Sequence, residues 1–168
     1  MRVGNAGPRF PGGEIETVEE SLNRRLEMEL GVISKIEVEI WSTLSGRLQS
    51  LLIRLSLVEH LSPELLGVLL GGDTELQEEF RQHCSFISFN KYINAYLIQH
   101  LFRDFLCTKQ CLLSDSEIQE TYRAAAYWSE QNGFLADALS YYEKLGDYQA
   151  KGAIEEKIKS RIINYQVV

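Results

Sequence analysis

The chain is poor in the features that would mark it as a membrane protein, a secreted scaffold or a nucleotide enzyme. No apolar run approaches the ~18 residues that a membrane-crossing helix needs. The opening stretch, Met1–Gly13, lacks the apolar segment of a signal peptide. There are 3 cysteines, an odd number without framework spacing, which suits a reducing cytoplasm. The phosphate loop GxxxxGK[ST], the GxGxxG fingerprint and the GxSxG elbow are all missing from these residues, so phosphate cradling and serine hydrolysis have no motif to rest on. Basic charge is also scarce. Lys and Arg number 17 against 24 Asp and Glu, for a net charge of −7. That excludes a chain-wide nucleic-acid surface, though not one local basic patch.

What is present is a helical pattern with enough apolar residues to build a core: 45% of the 168 residues are hydrophobic and 24% charged. This length allows one ordinary domain or two small ones. Met1–Gly13, with four Gly and two Pro, reads as a flexible lead or the ragged start of an excised piece. From Glu14 a helical stripe runs through Ile15, Val18, Leu22, Leu26, Leu30, Ile33, Ile36, Ile40 and Leu44, with Gly31 as the point where it is expected to kink or split. Glu16, Glu19, Glu20 and Glu27 form a solvated acidic face. Leu48, Leu51, Leu52 and Leu55 make the next stripe. Ser62-Pro63-Glu64 starts a helix that is apolar nearly all round, Glu64–Leu70, and Gly71-Gly72 stops it. Asp73 can cap a third helix, Thr74–His83, with Leu76 and Phe80 facing in.

The stretch Phe86–Leu106 organises the rest. Two β-prone runs, Phe86–Phe89 and Ala95–Ile98, flank Asn90-Lys91-Tyr92-Ile93-Asn94, a length and composition that suit a hairpin loop. A helix follows at once, with Leu101, Phe102, Phe105, Leu106, Leu112 and Leu113 on one predicted face. Three helices, a hairpin and a fourth helix describe a winged helix. After Leu113, Ser114–Glu117 is a turn and cap. It opens a helix, Glu117–Gln131, whose Ala124-Ala125-Ala126 permits close helix approach. Asn132-Gly133 ends it, Phe134–Lys144 follows with Leu135, Ala138, Leu139 and Tyr142 on one face, and a last helix carries Ala150, Ile154, Ile158 and Ile162. Gly133, Ala138 and Tyr142 match the offsets of a tetratricopeptide repeat, with Trp128 as the large side chain of its first helix. One repeat cannot cover its own face, so docking on the winged helix or a truncated array is expected. Phe105, Leu106, Leu139 and Tyr142 are the residues expected to be buried.

Candidate chemistry is thin. His60, His83 and His100 are far apart in sequence. Cys107 and Cys111, at i and i+4, lack a second ligand pair for a metal and read as helix-packing residues. The third helix, which enters the groove in DNA-reading relatives of this fold, carries Glu75, Glu78 and Glu79 on its predicted exposed face. Between Ser62 and Cys84, five acidic residues stand against Arg81 alone. Phosphate would repel that surface, so no direct DNA contact is expected from it.

The runs IWSTLSGRLQSLLIRLSLVEHLSPELLGVLLGG, YLIQHLFRDFL and YRAAAYWSEQNGFLADALSYYEKLGD resemble the middle of the LuxR-type ATP-dependent regulators, signal-transduction ATPases with numerous domains. The resemblance covers roughly residues 36–150. It implies a winged helix between a nucleotide-binding domain and a superhelix of tetratricopeptide-like repeats. In plant and animal cousins a Met-His-Asp motif opens the helix after the wing, and its His touches the ADP phosphate. Laid on Ile98-Gln99-His100, the His position falls on Gln99 and the Asp position on His100. These two are therefore the candidate cofactor-binding residues, toward ATP or ADP held by a parent protein. Gln99 can donate through its amide. The other reading is that both residues cap the helix.

The expected fold is mainly α: a winged helix with a small β-hairpin, then a tetratricopeptide-like helical hairpin. The expected organisation is a lead (1–13), an N-terminal helical segment (14–44), a winged helix (45–113) and tetratricopeptide-like helices (114–168). The expected role is a non-catalytic regulatory segment of a cytoplasmic regulator, partnered by a nucleotide-binding domain and a helical-repeat sensor, with no catalytic residue, metal or membrane contact of its own. The alternatives are a free-standing helical adaptor for a protein partner and, disfavoured by charge, a small DNA-binding winged helix.

Overall fold

The computed structural model describes residues 17–83 and 85–165; the expected lead, Met1–Gly13, lies outside them. The first helix, α1 (Val18–Lys35), opens on a capping box: Thr17 Oγ1 accepts from the Glu20 N–H, and the Glu20 carboxylate accepts from the Thr17 N–H at 2.9 Å. The helix continues unbroken through Gly31, so it is not split there. The break comes later, where Ile36–Ile40 widens into a π-turn and Trp41–Thr43 tightens into a 3₁₀ turn. In a regular helix Ile36 and Trp41 would lie about 140° apart. The wider turn brings both into the core, 4% and 5% exposed.

The winged helix follows in the expected order. α2 (Gly46–Ser56) buries Leu48, Leu51, Leu52 and Leu55, as its spacing predicts. α3 (Pro63–Leu70) starts at Ser62, whose hydroxyl accepts from the Leu65 N–H, and stops at Gly71 and Gly72, whose positive φ a side chain would strain. α4 (Thr74–His83) is capped by Asp73 and buries Leu76 and Phe80. The hairpin pairs β1 (Ile87–Asn90) with β2 (Ala95–Ile98), in the register Ile87↔Ile98 to Asn90↔Ala95. Asn94 takes the left-handed backbone at φ 49° that closes the loop. The Tyr96 N–H also donates to the Leu61 carbonyl, tying the wing to the α2–α3 loop.

α5 (His100–Thr108) buries Phe102, Phe105 and Leu106. Its predicted apolar face does not run on to Leu113 unbroken. The helix ends at Thr108, a 3₁₀ turn (Gln110–Leu112) rotates the chain, and Leu112 faces out while Leu113 returns to the core. Leu101 also sits at the exposed margin, and Cys107 and Cys111 are both exposed, so the thiols are not packing residues.

α6 (Asp115–Gln131) opens on a second capping box, Ser114 with Glu117. α7 (Leu135–Leu145) packs antiparallel against it after Gly133 at φ 81°. α8 (Tyr148–Tyr165) closes the described chain and buries Ile154, whereas Ile162 faces solvent. On α7 the deeply buried tyrosine is Tyr141; the expected Leu139 and Tyr142 are only half-buried. Tyr141 faces the winged helix, whereas Tyr142 faces the α6 side chain Glu130. One hydrophobic cluster joins Trp41, the α2 leucines, Phe102, Phe105 and Leu106 to Ala125, Ala126 and Tyr141. The winged helix and the α6–α7 hairpin therefore share a core. Among the described residues, no helix is long and apolar enough to cross a membrane.

Candidate functional site

Among the described residues, long-range polar contacts cross the seam between the winged helix and the α6–α7 hairpin. The residues that sequence reasoning singled out, Gln99 and His100, stand at the head of α5. Gln99 is the N-cap of α5. Its backbone N–H donates to the Phe86 carbonyl and its carbonyl accepts from the Arg103 N–H, both at 2.9 Å, but its side chain makes no capping bond. His100 Nδ1 lies 3.0 Å from the Asp104 carboxylate, one turn along the helix. Both residues are exposed, and their side chains are not brought onto a common partner.

One turn further on, Arg103 reaches from α5 to the α2–α3 loop. Its guanidinium donates to the Val58 carbonyl at 2.9 Å and lies 3.5 Å from the Glu59 carboxylate. The Glu59 N–H in turn donates to the Tyr141 hydroxyl at 2.8 Å. Tyr141 is 1% exposed, and burial pushes its phenol up to about 12, so it stays protonated across the physiological range. Next to this chain, His60 stacks against Trp128 and Phe134, with ring centroids 5.4 and 4.4 Å away. A cleft of about 180 Å³ opens beside the rings, between the wing residues Ile93 and Asn94 and the α6–α7 turn.

A second set of contacts crosses from α2 to α6. The Ser50 hydroxyl donates to the Glu117 carboxylate at 2.7 Å, and Arg54 Nε donates to Thr121 Oγ1 at 2.8 Å. The Ser50 bond, with the capping bonds from Ser114, holds the Glu117 carboxyl far below the usual carboxylate range, at about 2. On the far side of α6, Glu130 accepts from the Tyr142 hydroxyl at 2.8 Å and pairs with Lys157 of α8. These two donors keep its carboxyl low, Lys157 contributing most.

Sequence reading missed Arg103, Glu59, Tyr141 and His60 as a group, because their partners are 44 to 82 residues away in the chain. Trp128 alone gave a signal, as the large residue expected on the helix before Gly133. The acidic face of α4 also needs adjustment. Glu75 and Glu78 are exposed as expected, but Glu79 turns inward, accepting from the Ser45 N–H at 3.0 Å and from its hydroxyl at 2.7 Å. Arg47 of α2 pairs with Asp73 and lies 3.8 Å from Glu75, so it is drawn into carboxylates at the start of α4. Among the described residues, no group of His, Cys, Asp and Glu could hold a metal ion.

The polar contacts of the seam join the winged helix to the α6–α7 hairpin. Comparison with curated proteins and with solved structures returns no match. Comparison with family models matches residues 37–116 to the MalT winged helix domain. That domain is a non-catalytic regulatory type, and this stretch of the chain is a MalT-like winged-helix region.

Proposed function

We propose that the chain is a non-catalytic regulatory segment of an ATP-dependent LuxR-type transcriptional regulator. In this reading the winged helix docks on a nucleotide-binding domain, and the α6–α8 helices begin a tetratricopeptide-like sensor. The observation that carries the reading is the continuous link from α5 through Arg103 and Glu59 to Tyr141, lying over a shared core. A displacement of α5 cannot be absorbed locally, because packed cores shift between discrete arrangements rather than deform smoothly. Gln99 and His100 sit exposed at the N-terminus of the same helix, where a bound ADP or ATP phosphate on the partner domain would be sensed. The winged helix is assigned to protein contact rather than DNA, since α4 keeps Glu75 and Glu78 exposed.

Extending the reading frame upstream is expected to reach a GxxxxGK[ST] loop. The domain carrying that loop is then loaded with ADP or with a non-hydrolysable ATP analogue and titrated with this chain by calorimetry. The expected result is a preference of about tenfold for one nucleotide state, because a ligand shifts an equilibrium only by its differential affinity. Binding in neither state, or equal binding in both, would overturn the proposal.

A further inference from the structure

α1 is an 18-residue helix of which no residue is buried. Its leucines are nonetheless arranged as a seam: taking 100° per residue, Leu22, Leu26, Leu30 and Ile33 fall within about 80° of arc. Ile33 is half-buried against the core, and the seam then continues off the body along the arm, with Leu22 54%, Leu26 55% and Leu30 64% exposed. Single exposed leucines are ordinary, but a continuous stripe of them marks a contact surface.

We infer that this arm pairs antiparallel with the same arm of a second copy of the chain. The charges flanking the seam select that occupant. Arg25 and Glu29 lie on the same side of it, about 100° and 60° from Leu26, and both are exposed. The seam is centred between Glu27 and Met28. A two-fold axis there sets Leu26 of each arm near Leu30 of the other, and Arg25 of each arm beside Glu29 of the other. Each symmetric contact therefore occurs twice, as an isologous interface requires. A parallel pair places this flank against the opposite flank of the second copy, where Glu27 faces Arg25 and Glu29 alike, so its one attraction is offset by a repulsion that the antiparallel Arg25–Glu29 pairs avoid. The capping box at Thr17 and Glu20 holds the N-terminal turn of the arm helical, which lowers the ordering cost of pairing. Two arms about 27 Å long make a small interface, so a reversible dimer in the micromolar range is expected.

Sedimentation velocity on the full chain, from about 1 to 200 μM, tests the pairing across the range set by that affinity. The wild type is expected to pass from monomer to dimer. Leu26→Asp is expected to remain monomeric throughout with the thermal midpoint of the body unchanged. Arg25→Glu is expected to raise the dimer Kd about tenfold, and adding Glu29→Arg to it is expected to restore the wild-type value, since the swap preserves the pair. A wild type that stays monomeric overturns the proposal, as does a dimer indifferent to Leu26→Asp. A double swap no tighter than Arg25→Glu overturns the antiparallel arrangement.

Discussion

α1 and α6 begin in the same way and end up in opposite environments. Each is opened by a hydroxyl–Glu capping box and runs for 18 and 17 residues respectively. α1 carries the leucine stripe and buries none of its residues. α6 buries Thr121, Ala125, Ala126 and Ser129, and its long apolar side chains sit at the margins. Small residues let α6 approach α2, α3 and α7 closely enough for Ser50 and Arg54 to hydrogen-bond across the gap. The comparison teaches that hydrophobic strength and burial are separate properties. A leucine stripe needs something to cover it, whereas an Ala-rich face needs only a neighbour near enough to touch.

The comparison is most severely tested by Phe105, which is 1% exposed and packs edge-on against Trp41 at 5.3 Å. Phe105→Ala is expected to cost ~3–5 kcal/mol. Because the core is shared, urea unfolding followed by tyrosine absorbance and by Trp128 fluorescence (in a Trp41→Phe background) should move together. Two separated transitions, with only the first displaced, would show the winged helix and the hairpin to be independent. The same truncation at Leu22 on the arm, in dilute monomer, is expected to change the stability by less than about 0.5 kcal/mol.

A smaller effect is expected at the seam. Tyr141→Phe keeps the ring but leaves the Glu59 N–H without its acceptor, a loss of about 1–3 kcal/mol. The distinguishing readout is hydrogen exchange: the Glu59 amide should lose protection selectively, while amides in α1 remain as they were.

The smallest effect separates the two capping boxes by pH. Glu117 has its folded pKa lowered to about 2, so it stabilises the fold above the unfolded carboxylate range, and that contribution is lost as pH falls toward 2. The Glu20 carboxyl is lowered in the same direction, chiefly by the Thr17 N–H, but its box lies in open solvent. In a series of thermal scans between pH 5 and pH 2, Glu117→Gln should flatten the acid loss of stability more than Glu20→Gln does. Equal slopes for the two variants would mean that the Ser50 bond adds nothing to the cap.

Much of this protein follows from its sequence alone. Ser62-Pro63, Gly71-Gly72, Asp73, Asn94, Ser114 and Gly133 start and stop their elements as their types require, because capping and left-handed backbone are decided within a few residues. Alternation and helical spacing likewise pick out Leu48, Leu52, Phe102, Phe105 and Leu106 as core. The tertiary structure decided what the local chain cannot encode. Gly31 stays helical and the irregular turn moves to Ile36–Ile40, because Ile36 and Trp41 must both reach one core. Leu112 is turned out by a 3₁₀ turn that its spacing does not announce. Tyr141 rather than Tyr142 goes inward, because the acceptor-seeking amide of Glu59 lies 82 residues away. Gln99 and His100 are placed at the head of α5 by the wing, and Arg103, one turn beyond, becomes the link to the hairpin. Side-chain partners of that kind are set by which surfaces meet, and local propensity carries no information about them.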